Sequence, residues 1–444
     1  MQIKIEKIVY PGKSLGRGAD GVATFTEGCL PGEVVEVNIV RDKKTFRLAE
    51  TVKIIENSPE RIVPGCPFEN QCGGCSFQYT GYENQLQIKH KYVNELLSPF
   101  AVAVPPVIRS PEIWNYRNKM EFSFFKENGR LSIGLHRKGK FDSFVSTPGC
   151  FIADKDFLPV VETVLEFAGN SGLECYDKKT KKGFWRHLVI RKAATRILVN
   201  IITGYKDDIP PDFFKPLING LKDRAVSLFR TINNKNFDFD SGSNPRLIYG
   251  NETIEEVISV KDKKYLFTIS PFSFFQTNTR ASEKLYETVI DMLKPREKDN
   301  IIDFYCGVGT LGIILSSYAG SVLGIEDIAY AVEDAVYNKK INRIKNITFE
   351  NMCVEKWSNG HRGIRRYNTF IFDPPRSGLS KEIIDFVINA RPEKIVYVSC
   401  DPATFARDLK YLRDKSGYRV SNIAVVDMFP HTYHIEVIAF LTGR

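Results

Sequence analysis

The stretch Asn300-Ile-Ile-Asp303-Phe-Tyr-Cys-Gly307-Val-Gly309-Thr-Leu-Gly312 decides the fold of the C-terminal part of the chain. A short apolar run meets a cluster of glycines and then Thr310-Leu-Gly-Ile-Ile-Leu, which reads as a buried strand, a tight turn and a helix. Glycines in such a turn let the backbone approach a ligand closely. Their spacing spells the G-x-G-x-x-G pattern of nucleotide-type cofactor sites. Outward from this turn the same alternation repeats. Strands are predicted over 300–305, 321–326, 347–350, 369–373, 394–399, 421–428 and 435–441, with helical stretches between most of them. That pattern is a doubly wound, Rossmann-like α/β sheet whose last two strands follow closely enough to form a hairpin.

The glycine turn does not by itself separate a dinucleotide from S-adenosylmethionine (SAM), and neither does Glu326, which ends the next strand where a ribose hydroxyl would bind. Two further features do. Asp303 stands two residues before the turn, where it would repel a pyrophosphate and attract an ammonium group. Asp373-Pro-Pro-Arg376 follows the fourth strand and matches the D/N-P-P pattern of base-methylating enzymes. Prolines hold that loop extended at the carboxyl edge of the sheet, where open α/β sheets bind ligands. SAM is therefore the expected cofactor.

Ile395-Val-Tyr-Val-Ser-Cys400-Asp-Pro402 places a thiol immediately after the fifth strand, with Pro402 opening a helix. The positive end of that helix is expected to favour thiolate. A thiolate suits one methylation in particular. C5 of uracil is a poor nucleophile, and addition of sulfur at C6 makes it carbanion-like. The C5 proton must then leave, which requires a base. His431-Thr-Tyr-His434-Ile-Glu436 offers three candidates that spacing cannot rank. The target base must also leave its stack to meet Cys400.

The chain's 444 residues exceed one ordinary core. We expect three segments: a small β-barrel over 1–57, a central mixed β domain over 58–265, and the methyltransferase sheet over 266–444. A formal charge of +9 suits a polyanionic partner. No apolar stretch is long enough to span a membrane, and Met1-Gln-Ile-Lys-Ile-Glu-Lys alternates as a strand does, unlike a signal peptide. A cytoplasmic protein is expected. Glycines at 12, 16, 18 and 21 and period-two runs on either side suit an OB-like barrel with a basic loop. A helix is predicted over 82–97 and is expected to pack on the catalytic domain. Basic and aromatic residues interleave from Lys178 to Lys192, with Phe184 and Trp185 among them, an arrangement that can neutralise phosphates and stack on bases. Cys66, Cys72 and Cys75 cluster among nine cysteines. With a remote fourth thiol, that spacing fits either tetrahedral zinc or an iron–sulfur cluster.

Taken together, these residues resemble the RNA 5-methyluridine methyltransferases, the RNA (uracil-5-)-methyltransferase family, and within it the RumA-like rRNA branch. The similarity is carried by Cys66-x5-Cys72-x2-Cys75, Asn115-Tyr-Arg-Asn-Lys-Met-Glu-Phe-Ser, Ile133-Gly-Leu-His-Arg-Lys-Gly, Phe272-Ser-Phe-Phe-Gln276-Thr-Asn, Asp373-Pro-Pro-Arg, Val398-Ser-Cys-Asp-Pro-Ala-Thr and His431-Thr-Tyr-His-Ile-Glu436. The resemblance implies that Cys400 is the nucleophile and Glu436 the base. It implies SAM contacts at Gln276, Tyr305, Glu326 and Asp373, and a TRAM-like N-terminal module. It also implies a [4Fe-4S] cluster, in preference to zinc, held by Cys66, Cys72, Cys75 and Cys150. The expected partner is RNA, 23S rRNA before tRNA, met by a monomer without a membrane. A ribosome-assembly factor without catalysis is the alternative from another class, and the presence of Cys400, Glu436, Asp373 and Gln276 argues against it.

Overall fold

A computed structural model describes residues 1–140, 142–204, 209–224, 226–233, 245–360 and 364–443. The chain divides into two compact units. One comprises residues 1–69, 74–113 and 373–444; the other comprises 70–73 and 114–372.

In the first unit, the strands Gln2–Val9, Lys13–Arg17, Ala23–Thr26, Phe46–Glu56 and Val34–Asp42 close, in that spatial order, into a barrel. The period-two pattern of Gln2–Val9 sends Ile3 and Ile5 inward, where they pack with Cys29, Val35 and Val37. The helix Tyr82–Leu97 follows, with the predicted bounds. After Asp373 come the helix Lys381–Ala390, the strand Lys394–Ser399, the helix Pro402–Ser416 and the strands Arg419–Val426 and Glu436–Thr442. Glu436–Thr442 lies antiparallel to both Lys394–Ser399 and Arg419–Val426, so the expected final strand pair forms.

In the second unit, the strands Ile347–Asn351, Ser321–Glu326, Asn300–Phe304 and Thr369–Phe372 pair side by side, all parallel. The helices Thr310–Ser316 and Ala329–Ile341 connect them. This is the strand–helix alternation that the sequence predicts, with ends shifted by a residue or so. A separate seven-stranded sheet runs Arg246–Tyr249, Val226–Ile232, Ile197–Thr203, Trp185–Lys192, Lys119–Glu127, Arg130–His136 and Phe144–Ser146. The helices Phe157–Asn170 and Lys215–Leu221 cover it through Phe157, Val160, Val161, Val164, Leu217 and Leu221.

This sheet corrects one expectation. Phe184 and Trp185 are fully buried in its core, and Arg186 and Arg191 are buried with them. Trp185–Lys192 is an interior strand, paired on both sides, so its apolar faces serve packing. Arg186 donates to the Asn233 carbonyl, and Arg191 donates to the carbonyls of Ser273 and Phe275. These rings therefore offer no stacking platform to RNA. No helix among the described residues is long and apolar enough to cross a membrane.

Candidate active site

Cys400 sits at the join of the strand Lys394–Ser399 and the helix Pro402–Ser416. The turn is made by Ser399, whose hydroxyl accepts from the Asp401 N–H at 3.2 Å. Asp401 caps the helix by accepting from the N–H groups of Ala403 and Thr404 at 3.0 and 2.9 Å, and Pro402 occupies the first turn. In the antiparallel ladder Ser399 faces Val437. Cys400 and Glu436 each lie one residue beyond this last pair, and the Glu436 carboxyl acts electrostatically on the thiol. The sheet therefore brings together two residues widely separated in the chain.

The Asp373-Pro-Pro-Arg376 loop reaches the same edge. Its backbone is tied to the helix Pro402–Ser416 by Thr404, whose hydroxyl donates to the Arg376 carbonyl at 3.1 Å, and by Arg407, which donates to the Ser377 carbonyl at 2.8 Å. The buried Asp408 accepts from the Leu379 N–H and the Tyr397 hydroxyl at 2.8 and 2.7 Å. These bonds tie the loop's backbone after Pro375 to the helix.

The electrostatics reverse one expectation. Burial pushes the Cys400 thiol up to about 12, the carboxyls of Glu436 and Asp373 push the same way, and Arg376 opposes them. The thiol is thus protonated in the resting site. The helix dipole that would have favoured thiolate is already answered by the Asp401 carboxylate on its first N–H groups. Glu436 is buried and held well above the ordinary carboxylate range, by desolvation first and Asp373 second. Burial lifts Asp373 to about 7. Three acids thus share one recess with the guanidinium of Arg376.

Of the two histidines, His431 is buried, and burial lowers it to about 4, so it is neutral. Its Nδ1 is bonded to the Gln85 amide at 3.2 Å. His434 stands 3.4 Å from Arg376 through Nε2 and packs on Tyr433 with ring centroids 4.1 Å apart. Sequence reasoning missed Tyr10. The barrel strand Gln2–Val9 ends just before it, and its hydroxyl donates to Asp401 at 2.8 Å. It also gave no role to Arg376, although a cation inside a Pro-Pro loop beside two carboxylates was a readable signal.

In the other unit the glycine turn follows the strand Asn300–Phe304. Tyr305, Gly307 and Gly309 take left-handed conformations, with φ of 62°, 55° and 79°. A Cβ on Gly309 would lie 2.7 Å from the Phe349 ring, and one on Gly312 3.0 Å from Asp303 Oδ2. Those two glycines are needed for helix–sheet packing, whereas Gly307 faces open space. Asp303 is buried beneath the helix. Glu326 accepts from the Gly307 N–H at 2.9 Å and from the N–H groups of Asp327 and Ile328 at 3.1 Å. Desolvation nonetheless lifts it to about 7. Burial and the adjacent Glu355 raise the Tyr305 phenol. Gln276 lies in the loop before the helix Thr279–Leu293, and Asn118 Nδ2 donates to its carbonyl at 3.1 Å.

Of the four cysteines proposed as ligands, Cys66 and Cys75 belong to the first unit, and Cys72 and Cys150 to the second. Cys75 is buried; the others are half-buried. Among the described residues, no group of three His, Cys, Asp or Glu side chains is arranged to hold a metal ion.

Comparisons with known proteins bear on the same residues. Residues 213–444 match the tRNA (Uracil-5-)-methyltransferase family model. The chain is 36% identical over 450 residues to an uncharacterized RNA methyltransferase of Caldanaerobacter subterraneus subsp. tengcongensis, covering 99% of this chain and 98% of that protein. It is 33% identical over 453 residues to one of Clostridium tetani, covering 100% and 97%. Among solved structures it is similar to the Pyrococcus abyssi tRNA (uracil-54, C5)-methyltransferase in complex with S-adenosyl-L-homocysteine. The TM-score is 0.77 and the identity 29%, with both chains covered in full.

Proposed function

The chain belongs to the tRNA (uracil-5-)-methyltransferase family, and from that premise we propose that it methylates C5 of a specific uridine in RNA through a covalent adduct between Cys400 and C6 of the base. The observation that carries this reading is the nearness of a thiol to a buried carboxyl: Cys400 and Glu436 flank the last ladder pair, Ser399 with Val437, and the carboxyl acts electrostatically on the thiol.

SAM, when bound, supplies an electrophilic methyl group. The residues fit such a ligand in two respects. Gly307 leaves open space above the turn while Glu326 braces its N–H. Asp373, lifted by burial to about 7, is poised to ionise beside a ligand that carries positive charge. Gln276, Tyr305, Glu326 and Asp373 are the proposed contacts, on the family resemblance.

The chain's own groups do the rest. Cys400 passes its proton to solvent and its sulfur bonds to C6, placing the ring's electrons on C5 and O4. Once C5 carries the methyl, Glu436 removes the C5 proton, the C5–C6 double bond re-forms and sulfur leaves. Glu436 is suited to this because desolvation has made its carboxylate more basic than an exposed one.

A [4Fe-4S] cluster on Cys66, Cys72, Cys75 and Cys150 remains part of the proposal through the family resemblance alone. Among the described residues no group of three His, Cys, Asp or Glu side chains is arranged to hold a metal ion. Iron analysis of anaerobically purified protein tests it, and a colourless, iron-free protein would refute it. The N-terminal barrel, as a TRAM-like module, and the central domain are proposed to bind the RNA. The proposed substrate is 23S rRNA, on the resemblance of the cysteine segment to the rRNA branch. A tRNA uridine is the second reading, supported by the full-length similarity to the Pyrococcus abyssi tRNA enzyme.

The covalent chemistry is tested with RNA carrying 5-fluorouridine, which cannot lose its C5 substituent as a proton. A denaturation-stable protein–RNA adduct is expected, and Cys400→Ala should abolish both adduct and methylation. A Cys400→Ala protein that still methylates RNA would sink the mechanism. Mapping 5-methyluridine in rRNA and tRNA from a deletion strain distinguishes the two substrates.

A further inference from the structure

The segment between the strands Arg419–Val426 and Glu436–Thr442 carries Glu436 at its end, and it is not a tight hairpin. It is buried: Asp427, Met428, His431, Thr432 and Ile435 are nearly inaccessible. A buried connection needs partners for its backbone polar groups. The helix Tyr82–Leu97, more than three hundred positions away in sequence, supplies them from one face.

Gln85, Lys89 and Tyr92 are spaced four and three residues apart, so they project on the same side of that helix. All three are buried, two of them being polar side chains that ordinarily face solvent. Lys89 Nζ donates to Asp427 Oδ1 at 2.7 Å and to the Phe429 carbonyl at 3.0 Å. Gln85 accepts from the His431 N–H at 2.9 Å and meets His431 Nδ1 at 3.2 Å. The Tyr92 hydroxyl donates to the Tyr433 carbonyl. Tyr82 adds a bond to Asp427 Oδ2 at 2.9 Å. The helix thus grips residues 427, 429, 431 and 433, every second residue of the segment. His431 is held in a left-handed conformation, φ 66°, while its carbonyl accepts from the N–H groups of Ser76 and Phe77 at 2.8 and 3.0 Å. A non-glycine residue keeps such a conformation only when its surroundings over-determine it.

We propose that Gln85 and Lys89 are positioning residues for Glu436: they fix the approach of its segment to the strand edge, so that the carboxyl faces Cys400 when the C5 proton must be removed. This rests on the covalent reading above and deepens it. Positioning of this kind acts on one step. Loosening the grip displaces the base while leaving the thiol, on its own strand and helix, in place. Methyl transfer should then persist while proton removal and sulfur elimination slow.

The test uses the full-length protein, methyl-tritiated SAM and RNA from a deletion strain. Gln85→Met keeps the side chain's length and removes its hydrogen bonds. A displacement of about 1 Å costs on the order of 100-fold at a reacting centre. Label should therefore accumulate in a denaturation-stable protein–RNA band, with release slowed at least about 10-fold and transfer far less affected. If Gln85→Met does not fold, Lys89→Met/Asp427→Leu decides, because exchanging a buried ion pair for apolar residues generally preserves the fold; it should show the same stall. A folded variant that releases methylated RNA at the wild-type rate, or in which transfer and release fall in equal proportion, would overturn the proposal. If wild-type protein forms no adduct with 5-fluorouridine RNA, the covalent reading falls and this inference falls with it.

Discussion

Arg376 is the cation that acts on both reacting groups. Its charge lowers the affinity of Cys400 and Glu436 for protons, against the desolvation and the carboxylates that raise it. Both groups must be unprotonated to act, one as nucleophile and one as base. Because both are held above their ordinary values, kcat/KM should rise with pH through and beyond neutrality. Removing the positive charge lets both groups hold their protons to still higher pH. Arg376→Gln should therefore lower kcat/KM several-fold at pH 7 and displace the rising limb to higher pH. A steady-state pH profile checks this, and an unmoved limb would mean that Arg376 does not act electrostatically on these groups. At this scale the sequence was partly legible. Cys400 and Glu436 are marked by motif, but the raised state of the thiol is not, because it depends first on burial and then on Glu436 and Asp373, which only the fold brings near.

Elements were legible where one face is apolar and the period is clean. Strands at 300–305, 321–326 and 394–399 match Asn300–Phe304, Ser321–Glu326 and Lys394–Ser399, and the helix at 82–97 matches Tyr82–Leu97. The sequence let that helix pack on the catalytic domain, but which of its residues would do so was not legible, since Gln and Lys are residue types that ordinarily face solvent. The helix Pro402–Ser416 illustrates the same limit. The sequence suggests a positive helix end beside Cys400, whereas Asp401 uses one oxygen to cap that end and the other to accept from Tyr10. Capping and charge can be separated experimentally. Asp401→Asn keeps a good cap and removes the charge, so stability should change by less than about 0.5 kcal/mol. Cys400 should become more acidic, because Asp401 is among the groups that raise it. Iodoacetamide labelling of the Cys400 peptide, followed by mass spectrometry near pH 8, should then be faster than in wild type. Asp401→Ala loses the cap as well and should cost about 1 kcal/mol. Equal labelling of Asp401→Asn and wild type would dismiss the charge effect.

At the scale of the whole molecule, chain order and compact units part company. The first and last segments, 1–69, 74–113 and 373–444, make one unit, and 70–73 with 114–372 make the other. Hydrophobic periodicity carries no information about which distant segments cluster, so contacts such as Lys89 to Asp427 could not be read from it. The division gives the buried acids a measurable consequence. Glu436 in the folded state holds its proton well above the ordinary carboxylate value of 4.5. Its contribution to stability is fully present below that value and is lost as pH rises towards the folded-state value, at up to about 1.4 kcal/mol per pH unit. Glu436→Gln has nothing to lose in that window. Its unit should be more stable than wild type by a margin that grows with pH. Hydrogen exchange on the strands Lys394–Ser399 and Glu436–Thr442, measured at pH 5, 6 and 7, reads the opening of this unit. The variant's advantage in exchange should widen from pH 5 to 7. An advantage that does not change with pH would show that the Glu436 carboxyl ionises without cost, and the raised basicity that makes it the candidate base would be lost with it.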